Sequence, residues 1–197
     1  MSVQPVRCAA PDDDQPVRAA RDWTRDKLAV LEYYLPGFTT ATKGAPECYF
    51  VDGLAGSGVN FVRPSGERVC GSALLALHTS PPFTRCLLLD RSRKNVEALR
   101  ARTAAFANRA IVEHGDVNRD LLKLMRKYIN PAAPTLCLLD QEGLDVDWRT
   151  IRGLADFRTR TGKVELLILF DADGLHRVLS REAGSASEAR LTGFFGG

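Results

Sequence analysis

No apolar run in this chain approaches the ~20 residues of a membrane span, and its first residues lack the apolar core of a signal peptide. A cytoplasmic protein without a membrane is the expectation. Cysteine is sparse and poorly arranged for metal. Cys8, Cys48, Cys70, Cys86 and Cys137 include no C-x-x-C pair, and no histidine stands near them at ligand spacing. Cys48, Cys86 and Cys137 fall in or beside expected strands, where cysteine acts as a small buried hydrophobe. We therefore expect neither zinc nor a disulfide. Excess charge is also lacking: a net +3 is too small to announce a nucleic-acid partner. What remains, 197 residues at 45% apolar and 26% charged, is the composition of one globular domain.

The chain is organised around Glu47 to Gly58, E-C-Y-F-V-D-G-L-A-G-S-G. Tyr49 to Asp52 reads as a buried strand that ends in an acid and breaks at once into a glycine loop, as an α/β sheet does at a nucleotide site. Gly53, Gly56 and Gly58 would let a ligand press against the backbone. The pattern resembles motif I of S-adenosylmethionine (SAM) methyltransferases, particularly the D-x-F-A-G-x-G form of nucleic-acid enzymes, with Leu54 where that form has Phe.

Upstream, residues 1–20 are rich in Pro, Asp and Ala without periodicity, and read as a disordered arm before a domain at 21–197. Trp23, Lys27, Leu28, Leu31, Tyr34 and Leu35 recur at helical spacing until Pro36-Gly37, where the helix is expected to stop. Trp23 and Lys27 are core residues or face the ligand.

Downstream, Asn60 to Cys70 holds the turn Pro64-Ser65-Gly66 and suggests a hairpin, so the helix at Gly71 to His78 comes late. Strands are expected at Arg85–Asp90, 110–113, Thr135–Asp140 and Val164–Phe170, alternating with helices near 95–106, 118–129 and 147–157. Such alternation gives an α/β fold: a Rossmann-like, mainly parallel sheet with helices on both faces. Too few residues come after Phe170 for two further strands and their turn. A class I methyltransferase sheet would thus be truncated after its fifth strand, with that edge covered by a second copy, a companion or additional sequence.

Asp90 ends the second strand, where an acid accepts hydrogen bonds from ribose hydroxyls. Its alternative role is to cap the next helix. Asp116 comes just after the third strand; in methyltransferases an acid there holds the adenine amino group, with Val117 as a wall for the ring, though Asp116 would equally cap a helix. Asp140-Gln141-Glu142-Gly143 stands where amino-methylating DNA enzymes have D-P-P-Y. Without the prolines and ring that orient a flipped base, methylation of adenine or cytosine amino groups is not expected.

Trp23-x-x-x-Lys27 with Tyr33-Tyr34, the D-G-x-A-G-x-G turn, Gly71-Ser72, Gly115-Asp116-x-Asn118, Leu138-Leu139-Asp140 with Gly143, Trp148-x-Thr150-Ile151 and Gly174-Leu175-x-Arg177 together resemble the three-Cys-motif partner (TcmP) family over about residues 21 to 180. The resemblance implies a methyltransferase-like fold, SAM as cofactor, and a companion protein with a three-cysteine motif suggestive of radical-SAM chemistry. The family's D-P-x-G after the fourth strand is Asp140-Gln141-Glu142-Gly143 here, and Asp171 and Asp173 replace amide-rich residues after the fifth.

Two function classes emerge. In a methyltransferase, Asp52, Gly53, Gly56, Gly58, Asp90, Asp116 and Val117 form the cofactor shell, and Asp140 or His176 takes a proton from an acceptor that the sequence does not name. In a non-catalytic partner subunit the fold is kept while the companion does the chemistry. An NAD-dependent dehydrogenase is a weaker third reading, because G-x-G-x-x-G is incomplete. Asp140, Glu142, Asp171 and Asp173 are read as solvated loop acids rather than a Mg²⁺ site. The arginines at 91, 93, 100, 102, 109 and 119 form a solvated face or a basic surface for nucleic acid.

Overall fold

A computed structural model describes residues 4–141, 143, 145–158, 162–169 and 192–193. Its elements are β1 (Arg18–Ala20), α1 (Trp23–Ala41), β2 (Tyr49–Asp52), β3 (Val59–Val62), β4 (Glu67–Cys70), α2 (Ser72–His78), β5 (Arg85–Asp90), α3 (Arg93–Arg102), β6 (Ala110–His114), α4 (Val117–Tyr128), β7 (Thr135–Leu139), α5 (Trp148–Ala155) and β8 (Glu165–Ile168). Five strands pair in the order β6-β5-β2-β7-β8, all parallel, in a Rossmann-like α/β sheet. The chain builds outward from β2 to β5 and β6, then crosses back to β7 and β8. The order therefore reverses between β2 and β7, and ligands of open α/β sheets bind outside the carboxyl ends at such a point.

Alternate residues of each strand serve opposite faces. Phe50, Cys86, Leu88, Leu136 and Leu138 pack with Leu28, Leu31 and Leu35 of α1, Leu74, Leu75 and Leu77 of α2 and Leu99 of α3. Tyr49, Val51, Leu87, Leu89, Cys137 and Leu139 pack with Val117, Leu121 and Met125 of α4 and Ile151 and Leu154 of α5. Each fully buried leucine contributes about 1.5–3 kcal/mol, and β2, β5 and β7 are buried throughout apart from Arg85 at the start of β5. The same parity turns Asp52, Asp90 and Asp140 toward the first face.

The hairpin expected at 60–70 is present as β3 and β4, antiparallel and joined in a second, three-stranded sheet to β1, which lies parallel to β3. Within the described residues β8 stands at the sheet edge. Glu142, Asp171, Asp173 and His176, and the expected covering of that edge, lie outside the described residues.

Three expectations are corrected. The helix does not stop at Pro36-Gly37: α1 runs on to Ala41 with Pro36 inside it. A proline leaves the carbonyl four residues earlier without its amide. That carbonyl is Glu32 O, and Val6 N donates to it at 2.8 Å.

The arm at 4–20 is ordered. Val6 is buried, 18–20 form β1, and Arg68 donates to the Pro11 and Asp13 carbonyls. Composition alone misleads here because the arm's partners lie far along the chain: Val6 joins the core with Cys8, Ala10 and Val17 packed against it, and Arg68 and Arg102 hold its polar atoms.

A disulfide is present, joining Cys8 to Cys70 across 62 positions. Nothing local in the sequence signals it, since the fold brings the arm to β4. Cys48, Cys86 and Cys137 are free and buried, as expected.

Candidate functional site

Asp52 and Asp140 flank the reversal point. Asp52 is fully buried; its Oδ2 accepts a hydrogen bond from Ser72 Oγ at 2.6 Å and its Oδ1 one from Leu54 N at 3.1 Å. Burial raises its pKa to about 7 against the pull of those two donors, and the nearby Asp140 and Asp90 charges raise it further. Asp140 is buried too, and its Oδ2 meets Lys27 Nζ at 2.5 Å. Its Oδ1 is buried and has no partner among the described residues, and Gln141 Nε2 beside it is equally orphaned. A buried, unanswered carboxylate oxygen costs stability, so it marks a place where a donor is expected to arrive. Lys27 is steadied from its other side by the Trp23 ring, 4.9 Å from Nζ to the centroid. Of the two readings left open for that pair, the structure places Lys27 at the crevice.

The glycine loop passes over this pair. Gly56 and Gly58 take φ of +64° and +87°, the left-handed region, which accounts for two of the three glycines. Gly53 is required for a different reason. A Cβ there would stand 3.0 Å from both Leu139 Cδ2 and Val117 Cγ2, so the loop lies directly on β7 and α4. Val117 is thus core packing beneath the loop.

The first four amides of the loop are spent. Gly53 N donates to Leu138 O, Leu54 N to Asp52, Ala55 N to Leu89 O and Gly56 N to Asp90 Oδ2 at 2.8 Å. Asp90 also accepts from Ser92 N at 2.8 Å and Asn95 Nδ2 at 3.1 Å. Three of roughly four lone-pair sites on Asp90 are occupied, leaving one for a ligand hydroxyl. The cap of α3 is Ser92, so Asp90 is not the N-cap that the sequence also allowed. Asp116 does cap its helix, accepting from Asn118 N and Arg119 N.

Compared with known protein families and with curated proteins, the chain matches neither a family model nor a curated sequence. The site therefore has to be read from its own chemistry. Gly56, Gly58 and Asp140 line one crevice, with Asp52 held behind it by the lining residue Ser72 and Asp90 by the lining residue Gly56; Gly53 packs on Leu139 and Val117 instead, and Asp116 and Val117 stand beyond β5 at the end of β6. His176 is not among the described residues. No group of three or more His, Cys, Asp or Glu able to hold a metal is found among the described residues.

Sequence reasoning missed the cover. The crevice over Asp140 is reduced to a cavity of about 10 Å³, lined by Arg18, Lys27, Gly56, Asn60, Ser72 and Asp140 among others. That volume holds about one water molecule. Beside the glycine loop, the buried Arg102 guanidinium uses every donor it has. Nε and one terminal nitrogen fork onto the Asp13 carboxylate at 3.0 and 2.6 Å, and the remaining hydrogens go to the carbonyls of Gln15, Pro16 and Ser57. Asp13 is held below the usual carboxylate range by that fork. Arg102 thus ties the arm to the glycine loop.

Arg100, Arg109 and Arg119 are likewise held by protein acceptors: Val112 O, the Phe83 and Leu77 carbonyls, and Asp120. Four of the six arginines considered for a basic surface are therefore engaged locally.

Proposed function

We propose that this crevice binds S-adenosylmethionine and that the chain is a methyltransferase-like protein, resembling the three-Cys-motif partner family. The observation that carries the reading is the pair of buried aspartates across the reversal point, with the Asp140 Oδ1 orphan beside Lys27. A zwitterionic amino-acid group matches that arrangement: its ammonium donates to Asp140, and its carboxylate accepts from Lys27 on the wall that Arg18 also lines. Asp90 has one acceptor site left for a ribose hydroxyl. Asp116 spends one carboxylate oxygen on its helix and keeps the other for an adenine amino group.

The spent loop amides speak against a dinucleotide. A pyrophosphate needs free N–H groups at the glycine turn and a helix starting there. Here four consecutive amides are engaged, and α2 starts only at Ser72.

SAM brings an activated methyl group, so the chain's own task is alignment and, for some acceptors, removal of a proton. Asp140 is the candidate for that proton among the described residues, and its buried Oδ1 without a partner supports it. His176, the other candidate, lies outside the described residues.

A second reading, a non-catalytic partner subunit, draws on an open groove of about 580 Å³ along α1, lined by Val30, Tyr33, Tyr34, Gly37, Phe38, Ala41 and Glu165. Val30 and Tyr33 are exposed there, and a companion with a three-cysteine motif would be the resemblance's candidate to cover them.

Calorimetry of the purified chain in a dithiol buffer against SAM, S-adenosylhomocysteine and NAD tests the first reading. Binding of the two adenosyl ligands and not NAD is expected. Asp140→Asn should weaken S-adenosylhomocysteine about 10- to 100-fold, the worth of a hydrogen bond to a charged group. Tight NAD binding, or unchanged affinity in a folded Asp140→Asn protein, would sink it.

A further inference from the structure

We infer that the outer faces of α4 and α5 form a binding surface for single-stranded nucleic acid, with phosphates held by Lys123, Arg126, Arg149 and Arg152 and a base stacked on Trp148. This surface lies on the second face of the sheet and does not depend on the SAM reading.

A net charge of +3 sums over the whole chain and hides how the charge is distributed. α4 carries Arg119, Lys123, Arg126 and Lys127 against the single acid Asp120, and α5 carries Arg149 and Arg152 against none. Six cations and one acid give these two helices more net positive charge than the entire molecule. Asp120 is turned back on its own turn, accepting from Asp116 N and Arg119. Lys123 keeps only a 3.9 Å contact with it, and the lysine side chain is 69% exposed. Arg126, Arg149 and Arg152 are exposed and make no hydrogen bond or ion pair among the described residues. In this they differ from Arg100, Arg102 and Arg109, whose donors go to acceptors within the fold. Like charges three or four positions apart oppose helix formation, so this face works against the helices that carry it.

The two helices present one surface. Asn118 ties their starts, its Oδ1 accepting from Asp147 N and Thr150 Oγ1 at 2.8 and 2.9 Å. One turn further along, a Cβ at Gly153 would stand 2.4 Å from Leu122 Cδ1, so the glycine is what lets α5 lie directly against α4. The helices therefore run side by side in the same direction. Leu121, Met125, Ile151 and Leu154 point into the core, which leaves the cations in two outward rows. Packed helices stand about 8–10 Å apart, and neighbours within a row about 5–6 Å apart.

The side chains select the occupant. Guanidinium forks match the oxygens of a phosphate. Trp148, the first residue of α5, is 44% exposed and adjoins Arg149. A bare ring beside a row of cations is what a single strand uses, its bases stacking while its backbone follows the charge. An acidic peptide would use the cations and leave the ring idle, and a duplex keeps its bases stacked on one another.

The test is fluorescence anisotropy of a labelled, mixed-sequence single strand of about 16 nucleotides, titrated with the full chain across a salt series. Wild type should bind, with affinity falling as salt rises. The triple variant Arg126→Gln, Arg149→Gln, Arg152→Gln should weaken binding about 10- to 100-fold and flatten the slope of log affinity against log salt by about 2. Trp148→Ala should weaken it about tenfold with the slope unchanged. Arg91→Gln, Arg93→Gln, Lys94→Gln, at exposed positions by α3 on the first face, should alter neither. Unfolding midpoints matching wild type confirm that the variants fold. Absence of salt-dependent binding overturns the inference, as does an equal loss from the α3 variant. A silent Trp148→Ala, with duplex bound as tightly as the single strand, overturns the choice of a single strand. A glutamate-rich peptide of equal charge that competes as well as the strand overturns nucleic acid as the partner.

Discussion

Asp90 and Asp116, after β5 and β6, each accept hydrogen bonds from backbone amides: Asp116 from the first turn of α4, and Asp90 from Ser92, the cap of α3, and from Gly56. Asp52 and Asp140, after β2 and β7, meet the side chains of Ser72 and Lys27, Asp52 takes one further bond from the Leu54 amide of its own turn, and one oxygen of Asp140 has no partner among the described residues. All four read alike in the sequence, as acids closing apolar strands. The difference lies in the stretch of chain beyond each strand. After β5 and β6 the chain enters a helix within three residues, so the amides at or just before the helix start meet the carboxylate. After β2 it enters the glycine loop and a hairpin, and after β7 it enters Gln141 and a longer connection. The acids near helix starts spend most of their acceptor capacity on the fold, whereas Asp140 keeps a buried oxygen without a partner among the described residues.

The largest test of that contrast is Lys27→Met. Removing the cation from a buried carboxylate should cost about 3–5 kcal/mol in denaturant unfolding at neutral pH. Adding Asp140→Asn should recover most of it, because the uncompensated charge is then gone. A small single-mutant loss would mean that water already reaches Asp140, and the contrast would collapse.

The next effect is on pH. The folded pKa of Asp52 is about 7, above the ordinary value of 3.8. Between those values the folded state holds a proton that the unfolded state has lost. The contribution of Asp52 is therefore fully present below pH ~4 and is lost as pH rises toward ~7, with a ceiling on the order of 4 kcal/mol. Asp52→Asn should flatten that part of the stability–pH curve, since Ser72 can turn its hydroxyl to accept from the amide. A mutant curve parallel to wild type would show Asp52 ionised throughout.

The smallest effect lies on the other side. Asp116→Ala should lose about 1 kcal/mol of helix capping in denaturant unfolding. A larger loss would move Asp116 into the group with Asp52.

The sheet was legible because its signals are local. The Arg85–Asp90 strand, the glycine loop and the delayed helix at Ser72 all stand where the pattern of apolar runs and glycines puts them. The features that could not be read depend on partners far along the chain. Lys27 meets Asp140 across 113 positions, Arg102 meets Asp13 across 89, and Cys8 meets Cys70 across 62. The end of α1 is misjudged at Pro36 for the same reason. A proline inside a helix costs ~3 kcal/mol or more, and the residue that offsets part of this, Val6, lies in a segment whose composition reads as disordered. Lys27 and Asp140 are each visible as candidates in the sequence; that they form one pair is not.

Pro36 also acts as an address. A continuous helix offers every carbonyl to its own amides and so shows an approaching chain a featureless side. By opening one rung at Glu32, Pro36 gives the arm a single place to bond, and Val6 takes it. Two residues on, Cys8 then arrives opposite Cys70 rather than one position early or late. The imino acid that interrupts one element thus sets the register in which a distant segment is laid down.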